Sequence, residues 1–382
     1  AGPSVLLVDP RPPLSLTSNR PEANYRNWWP QAPMVELAER SIDLLEALVD
    51  RGPGFAMNRR GYLYVTADPA LAQGLPEVVA RYRDAGLGPD AAELILAPAV
   101  IHDRFPHLGP SVCGAIHVRR AGSVDTLGLG RSMLDEAVAR GVRVVRGEIR
   151  DIDRDANGIR AVRVTTANGS ERLEVTAFLD AAGPFASQVA RLAGVDLPME
   201  TILRQKVLLH DPLGVVPRSA PFTIGLDPFE GQPAGVHIKP DDSGAGDAIK
   251  LGWAVDQEPA VPVARPACPP AFPRLVLARA ASLVPGLAAY LEGELDLIDH
   301  DGGFYARTPD GLPLIGRLQP EGMFVLAGLA GFGAMMASGA GELAAAWLLG
   351  DEPSELAAAF LPSRFGVGTM TRAPRSAPPG EL

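Results

Sequence analysis

Residues 301–350 read DGGFYARTPDGLPLIGRLQPEGMFVLAGLAGFGAMMASGAGELAAAWLLG, and their reading decides the fold. A short apolar strand, Met323 to Ala327, runs into a turn holding Gly328, Gly331 and Gly333. A helical pattern follows to Leu349, with Met335, Met336, Leu343, Trp347 and Leu348 as its larger apolar residues. A strand, a glycine turn and a helix N-terminus together make a device for holding an anion or a dipole. Backbone amides point out of the helix, and glycine lets a ligand approach the chain closely. Upstream, Thr308-Pro309-Asp310-Gly311-Leu312-Pro313 is a turn stiffened by two prolines.

Two other readings of this stretch compete. Met323 to Gly341 carries no charge, which suits a membrane span. Against that, glycines cluster mid-stretch, the side chains are small and Glu342 closes the run. A plain strand–helix unit buried in a core is the other. A resemblance favours the ligand-binding reading. TPDGLPLIG followed by GLAGFGAMMASGAGE resembles the C-terminal flavin-binding segment of the D-amino-acid-oxidase-like (DAO) FAD oxidoreductases, nearest to the sarcosine oxidase and dimethylglycine dehydrogenase relatives. The resemblance implies that Asp310, Gly328, Gly331, Phe332, Gly333, Ala334 and Met335 face FAD, with the helix N-terminus at the flavin's pyrimidine edge.

Composition sets the bounds. The 382 residues suffice for two domains, and 47% hydrophobic with 21% charged residues is a globular balance. The net charge of −10, with no basic run, excludes nucleic acid as an expected partner. Cys113 and Cys268 form no CxxC, which argues against a disulfide framework or a metal site and suits the reducing cytoplasm. Neither a signal peptide nor a transmembrane segment is expected, and Gly366 to Leu382 reads as a disordered tail.

Ser4 to Val8 is an apolar strand ending in Asp9. In a dinucleotide-binding fold an acid at this place holds ribose hydroxyls, and a first strand with GxGxxG stands roughly twenty residues before it. The sequence opens just before the Asp9 strand, so that motif is missing and weak FAD binding is expected. The α/β fold class is therefore a Rossmann-like FAD-binding domain, lacking its first strand and phosphate loop, with an inserted mixed β-sheet substrate domain. The FAD-binding part is expected at 1–30, 118–199 and 302–365, and the substrate part at 31–117 and 200–301.

Leu16 to Arg20 and Asn24 to Pro30 gather hydroxyls, arginines and aromatics, as suits a flat polar ligand. By resemblance this loop runs beside the flavin, with Arg11, Thr17 and Ser18 on FAD and Arg26 near its ring. Gly122 to Gly141 reads as a loop and then a helix capped near Asp125 and Thr126. DAAGPFASQVARLAG resembles the family's second nucleotide segment, which places Ala182, Gly183 and Pro184 beside the adenosine half, together with Ile149. His102 and His107 read as structural.

Flavin amine oxidation needs the substrate C–H held over the flavin, a neutral amine and a route for electrons to oxygen or a carrier. Ile249-Lys250-Leu251-Gly252-Trp253 resembles the family strand whose lysine promotes reaction with oxygen. The alternative for Lys250 is an edge-strand lysine in water. His237 takes the place of a substrate-side tyrosine, and Tyr305 with Arg307 lies on the approach to the flavin. Lys250 and Arg26 rank first as catalytic candidates, His237 and Tyr305 second. Where sarcosine oxidases clamp a carboxylate with arginine and lysine, this chain has Trp29 and Met335, and Gly303 stands at their covalent cysteine. FAD is therefore expected to be non-covalent. The expected function is oxidation of the C–N bond of an amine or amino acid. A dehydrogenase serving a quinone or carrier, or a non-catalytic remnant without the pyrophosphate loop, is the alternative.

Overall fold

The structure is a computed structural model that describes residues 4–16, 23–52, 54–242, 246–255, 257–351 and 353–366. Thr17, Ser18 and the tail from 367 onward lie outside the described residues.

Two halves share the chain. The larger sheet has eight strands in the order Leu297–Arg307, Glu200–His210, Ala248–Gly252, His237–Pro240, Phe222–Gly225, Tyr62–Thr66, Gly114–Val118 and Ala92–Ile95. All neighbours are antiparallel except Phe222–Gly225 beside Tyr62–Thr66. Side chains alternate across a strand. Val207, Leu209, Ile238, Ile249 and Leu251 therefore share one face, where they pack on Val276, Leu277, Ala280 and Leu283 of helix Phe272–Leu283. The register His237↔Gly252 and Lys239↔Lys250 sends these polar residues to the opposite face. The Lys250 strand lies between two paired neighbours, so Lys250 is not an edge lysine.

The other half collects the short parallel pairs. Leu6–Asp9 runs parallel to Arg143–Arg146, and Phe178–Asp180 parallel to Met323–Ala327. Among the described residues neither Leu6–Asp9 nor Phe178–Asp180 has a strand on its second edge. Helix Gly333–Leu349 packs on helix Ala32–Asp50, where Gly339 lets the backbones close. The Gly339 amide donates to Ser41 Oγ at 3.2 Å, a space that a Cβ would fill. The apolar run Ala330–Leu349 is long enough for a membrane span by length and composition, yet Met335, Met336, Gly339, Ala340 and Ala344 are buried in this core.

Two expectations meet the structure differently. A boundary after residue 301 falls inside the strand Leu297–Arg307, because that strand pairs continuously with Glu200–His210. Residues 122–124, expected as a loop, belong with Ala121 to a strand between Ala23–Arg26 and Met57–Asn58. The glycine that suggested a loop is there for contact: a Cβ on Gly122 would meet the Asn58 carbonyl oxygen at 2.1 Å. Asp125 then caps helix Thr126–Ala139 through the amides of Leu127 and Gly128.

Candidate active site

The turn after Met323–Ala327 is tight. Gly328 has φ 72° and Ala330 φ 41°, and a short 3-10 turn, Ala330–Phe332, leads into helix Gly333–Leu349. The first amides of a helix lack partners within it. Phe332, at the N-cap, supplies no side-chain hydrogen bond, so these donors are available to a ligand. Gly331 is exposed, Gly333 and Ala334 are half-buried, and Phe332 and Met335 turn their side chains into the core. A Cβ on Gly331 would meet the Tyr305 ring at 2.3 Å, whereas one on Gly333 would find only Leu329 at 3.7 Å. Tyr305 thus covers one side of Gly331, and the approach to the helix N-terminus opens at Gly333.

Arg26 reaches this turn through aromatic rings. Its guanidinium lies 4.5 Å from the Trp29 ring and 5.5 Å from Tyr62, and its Nε donates to the Trp28 carbonyl at 3.2 Å. Trp29 in turn meets Phe332 edge-on at 4.7 Å. Arg26 is buried among these rings, one residue contact away from the turn.

Asp310, expected on the cofactor, is occupied elsewhere. Oδ1 accepts the Leu312 amide at 3.1 Å and lies 2.9 Å from Thr308 Oγ1, and Oδ2 pairs with Arg364 at 2.7 Å. Burial alone would raise its pKa, but the hydrogen bond and charge of Arg364 outweigh it and hold the carboxyl below its ordinary value. Asp310 builds the proline turn. Arg364 was missed because nothing in its local sequence marks it as the partner of a residue 54 positions away.

The residues expected at the adenosine end converge at the C-terminal ends of the parallel strands. Asp9 Oδ1 accepts the Arg11 amide at 2.8 Å, and the Arg11 guanidinium lies over the Phe185 ring at 5.1 Å. That contact joins the end of the Asp9 strand to the turn that carries Ala182, Gly183 and Pro184. The Gly147 amide donates to the Asp9 carbonyl at 3.0 Å and brings in the Ile149 strand. Arg11 Nε is buried without a partner, a donor that a ligand oxygen would satisfy. Asp180 was not foreseen. It is 1% exposed, its Oδ1 accepts the Ala182 amide, and its Oδ2 is buried without a partner. Burial pushes its pKa up to about 7.

The polar face of the large sheet carries the remaining candidates. Lys250 Nζ lies 2.8 Å from Oδ1 of the fully buried Asp241, and Lys239 Nζ donates to Asn24 Oδ1 at 2.9 Å and Ser123 Oγ at 3.1 Å. Those lysine contacts tie the face to the small sheet that ends in Arg26. Nδ1 of His237 is 2.9 Å from the Gly235 carbonyl. A carbonyl only accepts, so Nδ1 carries the proton and Nε2 a lone pair. Burial lowers the His237 pKa to about 4, which keeps the ring neutral at pH 7. His107 has both ring nitrogens buried without partners.

These residues fit a flavin dinucleotide. The uncapped helix with its open Gly333 suits the flavin's electron-rich edge, and Asp9 with the unsatisfied Arg11 Nε suits the ribose and phosphate end. The sequence matches the family model described as FAD dependent oxidoreductase (DAO) over residues 1–347. No curated protein matches the sequence. Among solved structures, L-proline dehydrogenase from P. horikoshii superposes with a TM-score of 0.79 at 22% identity, over 95% of this chain and 91% of that one. Glycine oxidase from Geobacillus kaustophilus gives 0.77 at 20% identity, over 94% and 92%. L-alpha-glycerophosphate oxidase from Mycoplasma pneumoniae with FAD bound gives 0.76 at 16%, over 92% and 91%. At these identities the likeness is one of fold.

Proposed function

Because the chain belongs to the DAO family of FAD-dependent oxidoreductases, its family model spanning residues 1–347, we propose that it oxidises the C–N bond of an amine or amino acid with non-covalent FAD. The observation that carries this reading is His237. A neutral imidazole, fixed as its Nδ1–H tautomer, lies on the polar sheet face with its unprotonated Nε2 beside the side-chain-free Gly252. A lone-pair acceptor suits a substrate that offers N–H groups. The proline dehydrogenase and glycine oxidase neighbours act on amino acids, in keeping with this class.

Bound FAD supplies the acceptor for the two electrons and the hydrogen that leave the substrate carbon. The protein's part is placement. Amides at Gly333 and Ala334, with the positive end of the helix, would hold the electron-rich edge of the flavin. Tyr305 covers one side of Gly331, and Trp29 packs edge-on against the buried Phe332 of the turn. His237 Nε2 accepts an N–H of the amine and orients the C–N bond. Lys250 places a cation on the same face, tempered by Asp241. Gly303 offers no side chain for a covalent flavin link.

The test is direct. Protein titrated with FAD should quench the cofactor's fluorescence, and an amino-acid and amine panel should bleach the bound flavin under anaerobic conditions. Bleaching by hydroxy acids or glycerol phosphate and by no amine would reject the C–N assignment.

A further inference from the structure

We infer that Asp241 is a positioning residue that sets how much positive charge Lys250 presents to the cleft, and thereby favours a carrier over dioxygen as electron acceptor. This rests on the flavin reading above. Residues 237, 239 and 241 alternate onto the face that also carries Lys250 and Gly252. The Lys250 side chain is 11% exposed and Asp241 is fully buried, with the charges 2.8 Å apart. Two features make this pair more than a surface ion pair. It sits on an interior strand, and the neighbouring Lys239 anchors the same face to Asn24 and Ser123 of the small sheet. Asp241 is held by the hydrogen bond from its amide to the Ala248 carbonyl at 2.9 Å, and Lys250 by a strand paired on both edges.

The electrostatic consequence follows from the pairing. A lone ammonium stabilises an anion that forms nearby, whereas an ammonium against a carboxylate acts as a dipole, whose field falls off faster with distance. Dioxygen takes two electrons from the reduced cofactor and two protons to become hydrogen peroxide. Its first reduced form is an anion, so a nearby uncompensated cation speeds that step. A carrier that accepts the same electrons and protons through its own polar groups has less need of the cation.

The experiment uses FAD-loaded full chains of the wild type, Asp241→Asn, Lys250→Met and the double variant. Sulfite, which adds to oxidised flavin as an anionic adduct, is titrated by loss of visible absorbance, and reoxidation by dioxygen is followed by stopped flow. Asp241→Asn is expected to tighten sulfite and to speed reoxidation, each by about tenfold. Lys250→Met should weaken sulfite, and adding Asp241→Asn to it should recover part of that loss, because the carboxylate left without its cation repels the anionic adduct. Unchanged sulfite affinity in Asp241→Asn, or no weakening of sulfite in Lys250→Met, overturns the inference. If Asp241→Asn does not fold, Asp241→Ser takes its place: tightened sulfite supports the inference and unchanged sulfite overturns it. Wild type that takes up no FAD rejects the cofactor reading and this inference with it. Wild type that binds FAD while Asp241→Asn is silent rejects the inference alone.

Discussion

The His237 ring lies across the neighbouring strand in the space that Gly252 leaves: a Cβ on Gly252 would stand 2.2 Å from His237 Nε2. The two residues are register partners, so the missing side chain on one strand is what lets the imidazole on the other lie over the sheet. Phe222 backs the ring from the other side, with centroids 5.1 Å apart. Gly252→Ala should therefore push the imidazole off its position without touching the cofactor cradle. The expected result is a loss of about tenfold in amine oxidation, the worth of one hydrogen bond to the substrate. FAD affinity, read by fluorescence, should stay within about threefold, less than one hydrogen bond is worth. Equal loss of FAD would place Gly252 in the cofactor site instead.

Tyr305 and Gly331 supply a second test. A methyl group at Gly331 would enter the Tyr305 ring, so Gly331→Ala must move either the tyrosine or the turn. Movement of the turn misdirects the helix amides. FAD affinity should fall by about tenfold or more, the worth of one weakened charge-assisted hydrogen bond. The paired change Gly331→Ala with Tyr305→Ala should recover part of the loss. No recovery would show that the added methyl group meets FAD itself.

Asp180 gives a pH dependence whose sign is fixed. Its pKa is raised from 3.8 to about 7 by burial, so the folded state holds its proton more tightly than the unfolded chain. The resulting stability is fully present below about pH 4 and is lost as pH rises through about 7. Asp180→Asn keeps an acceptor for the Ala182 amide and removes the titration. The variant should overtake the wild type in thermal stability as pH rises from 4 to 8, by an amount on the order of 2–4 kcal/mol. Parallel stability profiles for the two proteins would mean that Oδ2 finds a donor in solution.

Ala330 is a non-glycine residue at φ 41°, in the turn that aims the helix. Left-handed backbone costs about 1–2 kcal/mol for a residue with a Cβ. Glycine removes that strain but adds unfolded-state freedom worth about 0.4–1 kcal/mol. Ala330→Gly should raise the melting temperature slightly. A lower melting temperature would show that the Ala330 methyl group packs well enough to offset its strain.

Acid precipitation tests the mode of flavin attachment. Gly303 carries no nucleophile, so the yellow colour should remain in the supernatant after the protein is pelleted. Colour retained in the pellet would reveal a covalent link at another residue.

The sequence by itself determined the local devices. Short-range chemistry set the Gly328–Gly333 turn, the Asp125 cap, the proline turn at Thr308–Pro313 and the alternation that makes Ile249, Leu251 and their neighbours a buried face. Each is written in residues a few positions apart, as turn, cap and period-two rules require. The family resemblance added the cofactor and the strands that carry Lys250 and His237. What those side chains do was decided by tertiary structure. Lys250 meets Asp241 only because two strands pair in one register, and Arg26 stacks against two rings only because Trp29 and Tyr62 arrive from different elements. Asp310 is taken by Arg364 across 54 residues, and Gly122 is a strand residue because Asn58 presses on it. Charges and rings act through space, over a few ångströms, between groups that the linear order keeps far apart, so their partners become definite only once the chain has folded.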